Sequence, residues 1–349
     1  MIDTTEKSFS SVKDLILNAK KRIEEIANKD SLSGIPSGFI DLDRLTSGWQ
    51  NSELIIIAAQ SGIGKTSFVL SMIRNIGIDY KIPVALFTPE MTSQQVVYKL
   101  MCQETRIPIN KLRNGMLEKH EWELLSIRVK DLEEAPIFID DTAKINIYSL
   151  KEKINKLIIN SDVRIIFIDN IHLIEIDDAQ KRSYLTREQE LSIIIRELKY
   201  YSKEFNIPIV AISQLSREIE KRIGFHKRPI LSDLRGSGTI EEVADIVSFI
   251  YRPEYYKIDE WDDEEHSPTQ GQAEFIVAKN RNGNLNEMKL KFINNLGKFE
   301  NLDDFSSLLD SLPSKMSLEN NNPFLTPNEA FGSNMNSGSF DDDDSDVPF

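Results

Sequence analysis

A single cysteine, Cys102, stands among 349 residues, so no internal disulfide and no cysteine-built zinc site can form, and the chain fits a reducing compartment such as the cytoplasm. Histidine is nearly as scarce: His120, His172, His226 and His266 are scattered without metal-ligand spacing. His172 follows an apolar run and, like the others, reads as a packed or solvated side chain. Aromatic residues make up only 8% of the chain, and Trp49, Trp122 and Trp261 read as packing residues rather than base-stacking platforms. No apolar run approaches the roughly 18 residues of a membrane span, so no membrane partner is expected. Met1 leads into polar, mixed-charge sequence rather than a secretory signal. Positive charge is also in deficit, with a net charge of −14. Residues 301–349 carry ten acids and one base, or −9, which leaves −5 on the other 300 residues. A body that mildly acidic can still hold a local basic channel for nucleic acid.

The chain does contain Ala58-Ala59-Gln60-Ser61-Gly62-Ile63-Gly64-Lys65-Thr66, directly after the apolar run Leu54-Ile55-Ile56-Ile57. A β-branched run closed by Ser-Gly and then Gly-Lys-Thr reads as a buried strand feeding a phosphate-binding loop. The backbone N–H groups of Ser61 to Ser67 can cradle phosphate oxygens. Lys65 reaches the β- and γ-phosphates, and the Thr66 hydroxyl ligates Mg²⁺. Ser67 to Ile76 has helical apolar spacing, which sets the loop on a helix N-terminus, where anions are favoured. The usual first glycine of the motif is here Ala59. The expected ligand is a nucleoside triphosphate.

Three parts follow from the pattern: 1–30, 31–300 and 301–349. In residues 9–28, Val12, Leu15, Ile16, Ala19, Ile23, Ile26 and Ala27 form a helical stripe opposite Lys13, Lys20, Lys21, Glu24 and Glu25. Such an amphipathic linker helix must bury its stripe on its own core or on a neighbouring subunit. The middle part alternates strand-like runs with helical segments, the strands being 54–58, 84–88, 137–139, 164–168, 208–213 and 246–251. That alternation argues an α/β fold, a mostly parallel sheet flanked by helices. Two later runs, 273–278 and 287–293, flank Arg281-Asn282-Gly283-Asn284, a hairpin signal. From about residue 311 the sequence turns to Ser, Asn, Pro and Asp, the composition of a disordered acidic tail.

Other candidates lie at the C-terminal ends of these strands, the edge that carries the phosphate loop in a parallel sheet. Asp169 closes Arg164-Ile165-Ile166-Phe167-Ile168 and is placed to hold Mg²⁺, although strand-end aspartates also serve as caps. Glu90, after Phe87-Thr88-Pro89, is a candidate for the base that orients the attacking water. Gln214, after Ile209 to Ser213, has the position of a γ-phosphate sensor. Lys279 and Arg281 form a cationic pair on one face of a strand at the hairpin tip; an exposed basic tip is usually solvated, and an arginine finger is the sharper reading. Arg217–Arg235 is basic and ends in Arg235-Gly236-Ser237-Gly238, where Arg235 and the exposed amides of Gly236 and Gly238 suit a DNA phosphate chain.

In order, SGIPSGFIDLDRLTSGW, AAQSGIGKTSFVLSMI, FTPEMT, IIFIDNIHLI, the REQEL–REIEKR stretch, RPILSDLRGSGTIEEVADIVSFIYRPEYY and VAKNRNG resemble the C-terminal motor domain of DnaB-like replicative helicases, which share the RecA-like fold. The resemblance spans about residues 31–295, and Ala59 matches that family's own loop. It implies that Lys65 and Thr66 bind the phosphates and Mg²⁺ of ATP, that Glu90 is the catalytic carboxylate, Asp169 the second acidic motif and Gln214 the sensor. Lys279 and Arg281 match the basic residues which the family inserts into the neighbouring subunit's nucleotide site, and 233–238 matches a DNA-contacting loop. The family works as a ring of six around single-stranded DNA, with the preceding helix docked on an adjacent subunit.

The chain departs from the pattern at Gly236, where the family commonly has Glu, and at Asp169-Asn170-Ile171-His172-Leu173, where it usually reads Asp-Tyr-Leu-Gln-Leu. These 349 residues contain no counterpart of the family's helical N-terminal domain, which organises the ring collar and contacts primase. The expected activity is ATP-driven translocation on single-stranded DNA with duplex unwinding at replication forks. Two alternatives stay open: a RecA-like DNA-binding ATPase that remodels partners without unwinding, and a ring protein that uses ATP only to set its assembly. Separately, residues 340–349, a carboxylate run ending in Val-Pro-Phe, resemble the acidic tip of bacterial single-stranded-DNA-binding proteins and point to proteins that read such tails.

Overall fold

The computed structural model describes residues 9, 11–27, 32–176, 186–234 and 236–302. Arg235 and the acidic tail, including its Pro-Phe tip, lie outside the described residues. The elements run α1 (Val12–Ala27), α2 (Ile40–Thr46), β1 (Leu54–Ala59), α3 (Lys65–Arg74), β2 (Val84–Phe87), α4 (Ser93–Thr105), α5 (Ile109–Asn114), α6 (Lys119–Glu133), β3 (Ile137–Asp140), β4 (Ile145–Asn146), α7 (Ile147–Ser161), β5 (Ile165–Ile168), β6 (Ile174–Glu175), α8 (Arg187–Glu204), β7 (Ile209–Gln214), α9 (Ser237–Val243), β8 (Ile246–Tyr251), β9 (Gln272–Asn280), β10 (Asn286–Ile293) and β11 (Lys298–Asn301).

Nine strands form one sheet in the order β11-β10-β9-β8-β1-β7-β5-β2-β3. The six from β8 to β3 pair in parallel, and β9, β10 and β11 extend the sheet antiparallel. This is the RecA-like, mostly parallel sheet that the sequence predicts. β4 and β6 make a separate two-stranded parallel ribbon. All six residues of β1 are fully buried, because a parallel strand covered on both faces needs a continuous apolar run rather than an alternation.

Successive β1 residues feed two cores. Leu54, Ile56 and Ala58 pack with Ile154 of α7 and with Leu191, Ile194 and Leu198 of α8. Ile55, Ile57 and Ala59 pack with Phe68, Met72 and Ile73 of α3 and Leu100 of α4. α3 is pinned by aromatics: Phe68 stacks on Phe39 and Phe275 at 4.9 Å and meets Phe299 edge-on at 5.3 Å. Trp49 and Trp261 are buried as expected, whereas Trp122 is half exposed on α6. The stripe on α1 is uncovered, with Val12, Leu15, Ile16 and Ile23 each more than half exposed.

Parallel register brings the strand ends to a common edge. Gln214 pairs with Ala59, the last residue of β1, and Ile168, just before Asp169, pairs with Phe87 of β2. The chain beyond β9 returns at the other edge: Asn280 lies opposite Ile246, the first residue of β8, which itself pairs with Ile55 near the start of β1.

Candidate nucleotide site and nucleic-acid interface

The turn between β1 and α3 is possible only with glycine at two points. Gly62 and Gly64 adopt φ of +82° and +115°. A methyl group on Gly62 would come 3.2 Å from Tyr255 Oη, and one on Gly64 would come 3.3 Å from the Phe299 ring. The loop is held from behind. Tyr255 Oη donates to the Ser61 carbonyl at 3.1 Å, and Arg252 Nη1 donates to the Ile63 carbonyl at 3.1 Å. The Arg252 guanidinium is 6% exposed, lies 3.7 Å over the Phe292 ring, and is held below the usual arginine pKa by its burial. Gln60 Nε2 donates to Glu220, which ties the loop to the segment after β7.

Lys65, the first residue of α3, donates from Nζ to the carbonyls of Ala59 at 2.9 Å and Gln60 at 3.0 Å. Burial lowers its pKa, against the attraction of Asp169 and Glu90. Thr66 Oγ1 donates to Asp169 Oδ2 at 2.5 Å. Asp169 is 3% exposed, and burial raises its carboxyl above the usual carboxylate range despite the Thr66 hydrogen bond. A hydroxyl and a buried carboxylate, both hard oxygen donors and in contact, fit a small divalent cation, whose charge would offset the cost of burying Asp169.

Beside them, Asn170 Nδ2 donates to Glu90 Oε2 at 3.1 Å. Asn170 Oδ1 accepts the His172 N–H at 3.0 Å, and His172 Nε2 accepts the Gln214 N–H at 3.2 Å. His172 is thus packed against β7, bonded to the backbone N–H of Gln214. Ser61, Gly62, Gly64, Lys65, Thr66, Ser67, Glu90, Asp169 and Gln214 all line one cleft of about 270 Å³, with Ile63 buried beneath the loop. Lys99 of α4 and Asn170 complete the wall. A lone lysine inside a helix gives no sequence signal, whereas Asn170 could have been found as the neighbour of Asp169.

Two groups of candidates lie elsewhere. Lys279 Nζ donates to the Ala244 carbonyl at 2.6 Å and to that of Glu241, and Arg281 donates to the Glu242 carbonyl. Both cations thus rest on the C-terminal carbonyls of α9, where a helix favours positive charge. They stand at the starting edge of the parallel strands, four residues of β1, or about 13 Å, from the phosphate-loop edge. Gly236, at φ +74°, precedes α9, and a methyl group there would come 3.0 Å from Leu191. Gly236 and Gly238 line a second cavity of about 640 Å³, walled by the hydroxyl residues Thr186, Ser192, Ser216, Ser232 and Thr239. Behind that wall, Arg222 grips the buried Asp233 with two hydrogen bonds, and the Ser216 N–H bonds to the Asp233 carbonyl at 2.7 Å. Among the described residues, no helix is long and apolar enough to cross a membrane.

Comparison with known proteins agrees with this fold. The chain is 40% identical over 297 residues to the replicative DNA helicase DnaB of Geobacillus stearothermophilus, covering 85% of this chain and 63% of that protein. It is 38% identical over 297 residues to the replicative DNA helicase DnaC of Bacillus subtilis, with the same shares of 85% and 63%. It therefore spans a little under two thirds of the length of these relatives. A solved ATPase domain superimposes with a TM-score of 0.75 at 31% identity, covering 84% of this chain and the whole of that one. A DnaB-like replicative helicase, solved in a study of its interactions with primase, superimposes with a TM-score of 0.72 at 31% identity over 84% of this chain and 68% of that one. With a matching family model over residues 34–301, the chain belongs to the DnaB-like helicase C terminal domain family.

Proposed function

We propose that this chain is an ATP-hydrolysing motor that assembles as a hexameric ring, translocates on single-stranded DNA and unwinds duplex at replication forks. The observation that carries this reading is the convergence of the phosphate loop, Thr66, Asp169, Glu90 and Gln214 in one cleft of a RecA-like sheet. Thr66 and Asp169 would hold Mg²⁺, which would supply charge neutralisation for the phosphates. The loop amides from Ser61 to Ser67 bind and orient the phosphate chain. Lys65, now on the Ala59 and Gln60 carbonyls, exchanges those partners for phosphate oxygens. Glu90 orients water and accepts its proton, and Gln214 reports the γ-phosphate to the segment after β7.

Lys279 and Arg281 stand at the sheet edge remote from their own cleft, which supports a role in the cleft of a neighbouring subunit. A ring supplies that neighbour, and the exposed stripe of α1 gives it a further contact. The second cavity, lined by Gly236 and Gly238, together with Arg235, which precedes Gly236 in the sequence, is the proposed contact to DNA phosphates. A motor of this kind is read as cytoplasmic, and the acidic Pro-Phe tail as a docking segment for partner proteins.

ATPase stimulation by single-stranded DNA, measured with strand displacement on a forked duplex, tests the reading. Stimulation with displacement supports it. Stimulation without displacement favours a DNA-binding ATPase that remodels partners. No stimulation leaves a ring that uses ATP only for assembly.

A further inference from the structure

We propose that Asn170 is the positioning residue for the catalytic carboxylate. Its side-chain amide holds Glu90 in place for water activation and joins it, through His172, to the strand that carries Gln214. The inference rests on the hydrolytic reading of the cleft given above.

Glu90 belongs to the bend after β2 and its side chain is exposed, so nothing in its own segment restricts a long carboxylate to one rotamer. Asn170 is 3% exposed, and its Nδ2 donates to Glu90 Oε2 at 3.1 Å. The direction of that bond is fixed from the other side of the amide. Asn170 Oδ1 accepts the backbone N–H of His172 at 3.0 Å, and a backbone N–H can only donate. The oxygen is therefore committed, and the NH₂ group must face Glu90. With Oε2 held by the amide, the Glu90 carboxylate still keeps lone pairs free to take a proton from water.

The same residue extends the linkage. His172 Nε2 accepts the Gln214 N–H at 3.2 Å, which makes it an unprotonated ring nitrogen, and Ser213 Oγ lies 3.2 Å from the same atom. One unbroken series of hydrogen bonds thus runs from Glu90 through Asn170 and His172 to the backbone of Gln214. A base misplaced by about 1 Å can cost on the order of 100-fold in rate, so loss of this amide is expected to lower kcat by roughly 10- to 100-fold.

The test separates the donor to Glu90 from the acceptor that takes the His172 N–H. Asn170→Ser and Asn170→Asp both keep an oxygen for the His172 N–H, but neither presents an N–H to Glu90. ATPase kinetics are measured on the full chain with Mg²⁺ and ATP, beside Glu90→Gln and with thermal melting of every variant. The expected result is a kcat reduced about 10- to 100-fold in both Asn170 variants, with KM for ATP and melting temperature near wild type. If Glu90→Gln is inactive while both Asn170 variants keep wild-type kcat, the positioning role is overturned and the assignment of the base survives. A loss in the Asn170 variants that appears as raised KM or lowered melting temperature, with kcat kept, also overturns it and leaves Asn170 a structural cap. If Glu90→Gln itself hydrolyses ATP at the wild-type rate, both the proposal and the hydrolytic reading of Glu90 fall.

Discussion

Thr66 and Asp169, 103 positions apart in the sequence, meet through a 2.5 Å hydrogen bond from Oγ1 to Oδ2 at the floor of the cleft. The first stands one residue into α3 and the second one residue past β5, so their meeting depends on the parallel register through β7 and on the glycine turn that starts α3. If the pair holds Mg²⁺, Thr66→Ala and Asp169→Asn should each remove the Mg²⁺-dependent part of ATP affinity. Titration of a fluorescent ATP analogue with and without Mg²⁺ measures this. Equal Mg²⁺ enhancement in wild type and both variants would place the cation elsewhere.

Glu90→Gln keeps the shape of the side chain and its acceptor for Asn170 but removes the base. ATP binding should stay within a few-fold of wild type while turnover falls by about 10²–10⁴-fold. Single-turnover hydrolysis beside equilibrium binding separates the two effects.

Arg281→Ala should bind nucleotide almost normally and lose most turnover, because a finger acts on charge that develops only in the transition state. Mixed with the equally inactive Lys65→Ala protein, it should regain part of the activity, since some interfaces then join an intact loop to an intact finger. Absence of recovery, where native mass spectrometry shows mixed assemblies, would count against a shared site.

For the DNA face, Arg235→Ala should weaken single-stranded binding alike for all sequences and reduce the salt slope by about 1. Gly236→Ala forces a side chain into φ +74° and within 3.0 Å of Leu191, so it should cost about 1 kcal/mol of stability as well. An unchanged salt slope in Arg235→Ala moves the DNA path to another surface.

Glu53 offers a pH test remote from the cleft. Burial holds its carboxyl above the usual carboxylate range, although Asn282 Nδ2 donates to it at 2.8 Å. The folded chain therefore binds this proton more tightly than the unfolded chain does. The cost of burying Glu53 is complete above its folded pKa, and it is relieved as pH falls from that folded pKa toward the ordinary carboxylate range. Glu53→Gln keeps the acceptor for Asn282 and should melt higher than wild type at pH 7 to 8, with the gap closing on acidification. A gap that widens instead would show that the charge is favoured where it lies.

Local chemistry explains what the sequence could disclose. Strand β1 is an unbroken apolar run and β8 is one but for Ser248, and the residues that end β1, β5 and β7 had to share one edge once the sheet was parallel. Asp169 and Gln214 were legible on that ground, and Lys65 and Thr66 on the loop motif. Lys99, Tyr255 and Arg252 were not, because each reaches the cleft or its loop from an element placed by tertiary packing rather than by a local pattern. β11 was missed for a related reason: Lys-Phe-Glu-Asn carries no strand pattern of its own and is drawn into the sheet by β10. The bond of His172 to Gln214 was not legible, because a histidine bonded to a backbone N–H looks, in sequence, like any other.

The two cations on the carbonyls of α9 tie together distances that the chain keeps apart. α9 is seven residues, about 10 Å, with Gly236 at its start and the ligands of Lys279 and Arg281 at its end. Drawing those cations into a neighbour's cleft strips the cap from one end of a rod whose other end faces the second cavity. Each triphosphate that draws them over would then be felt first as a slackened helix end in the adjoining subunit. In this view the grip on a strand loosens one subunit away from the bond that breaks.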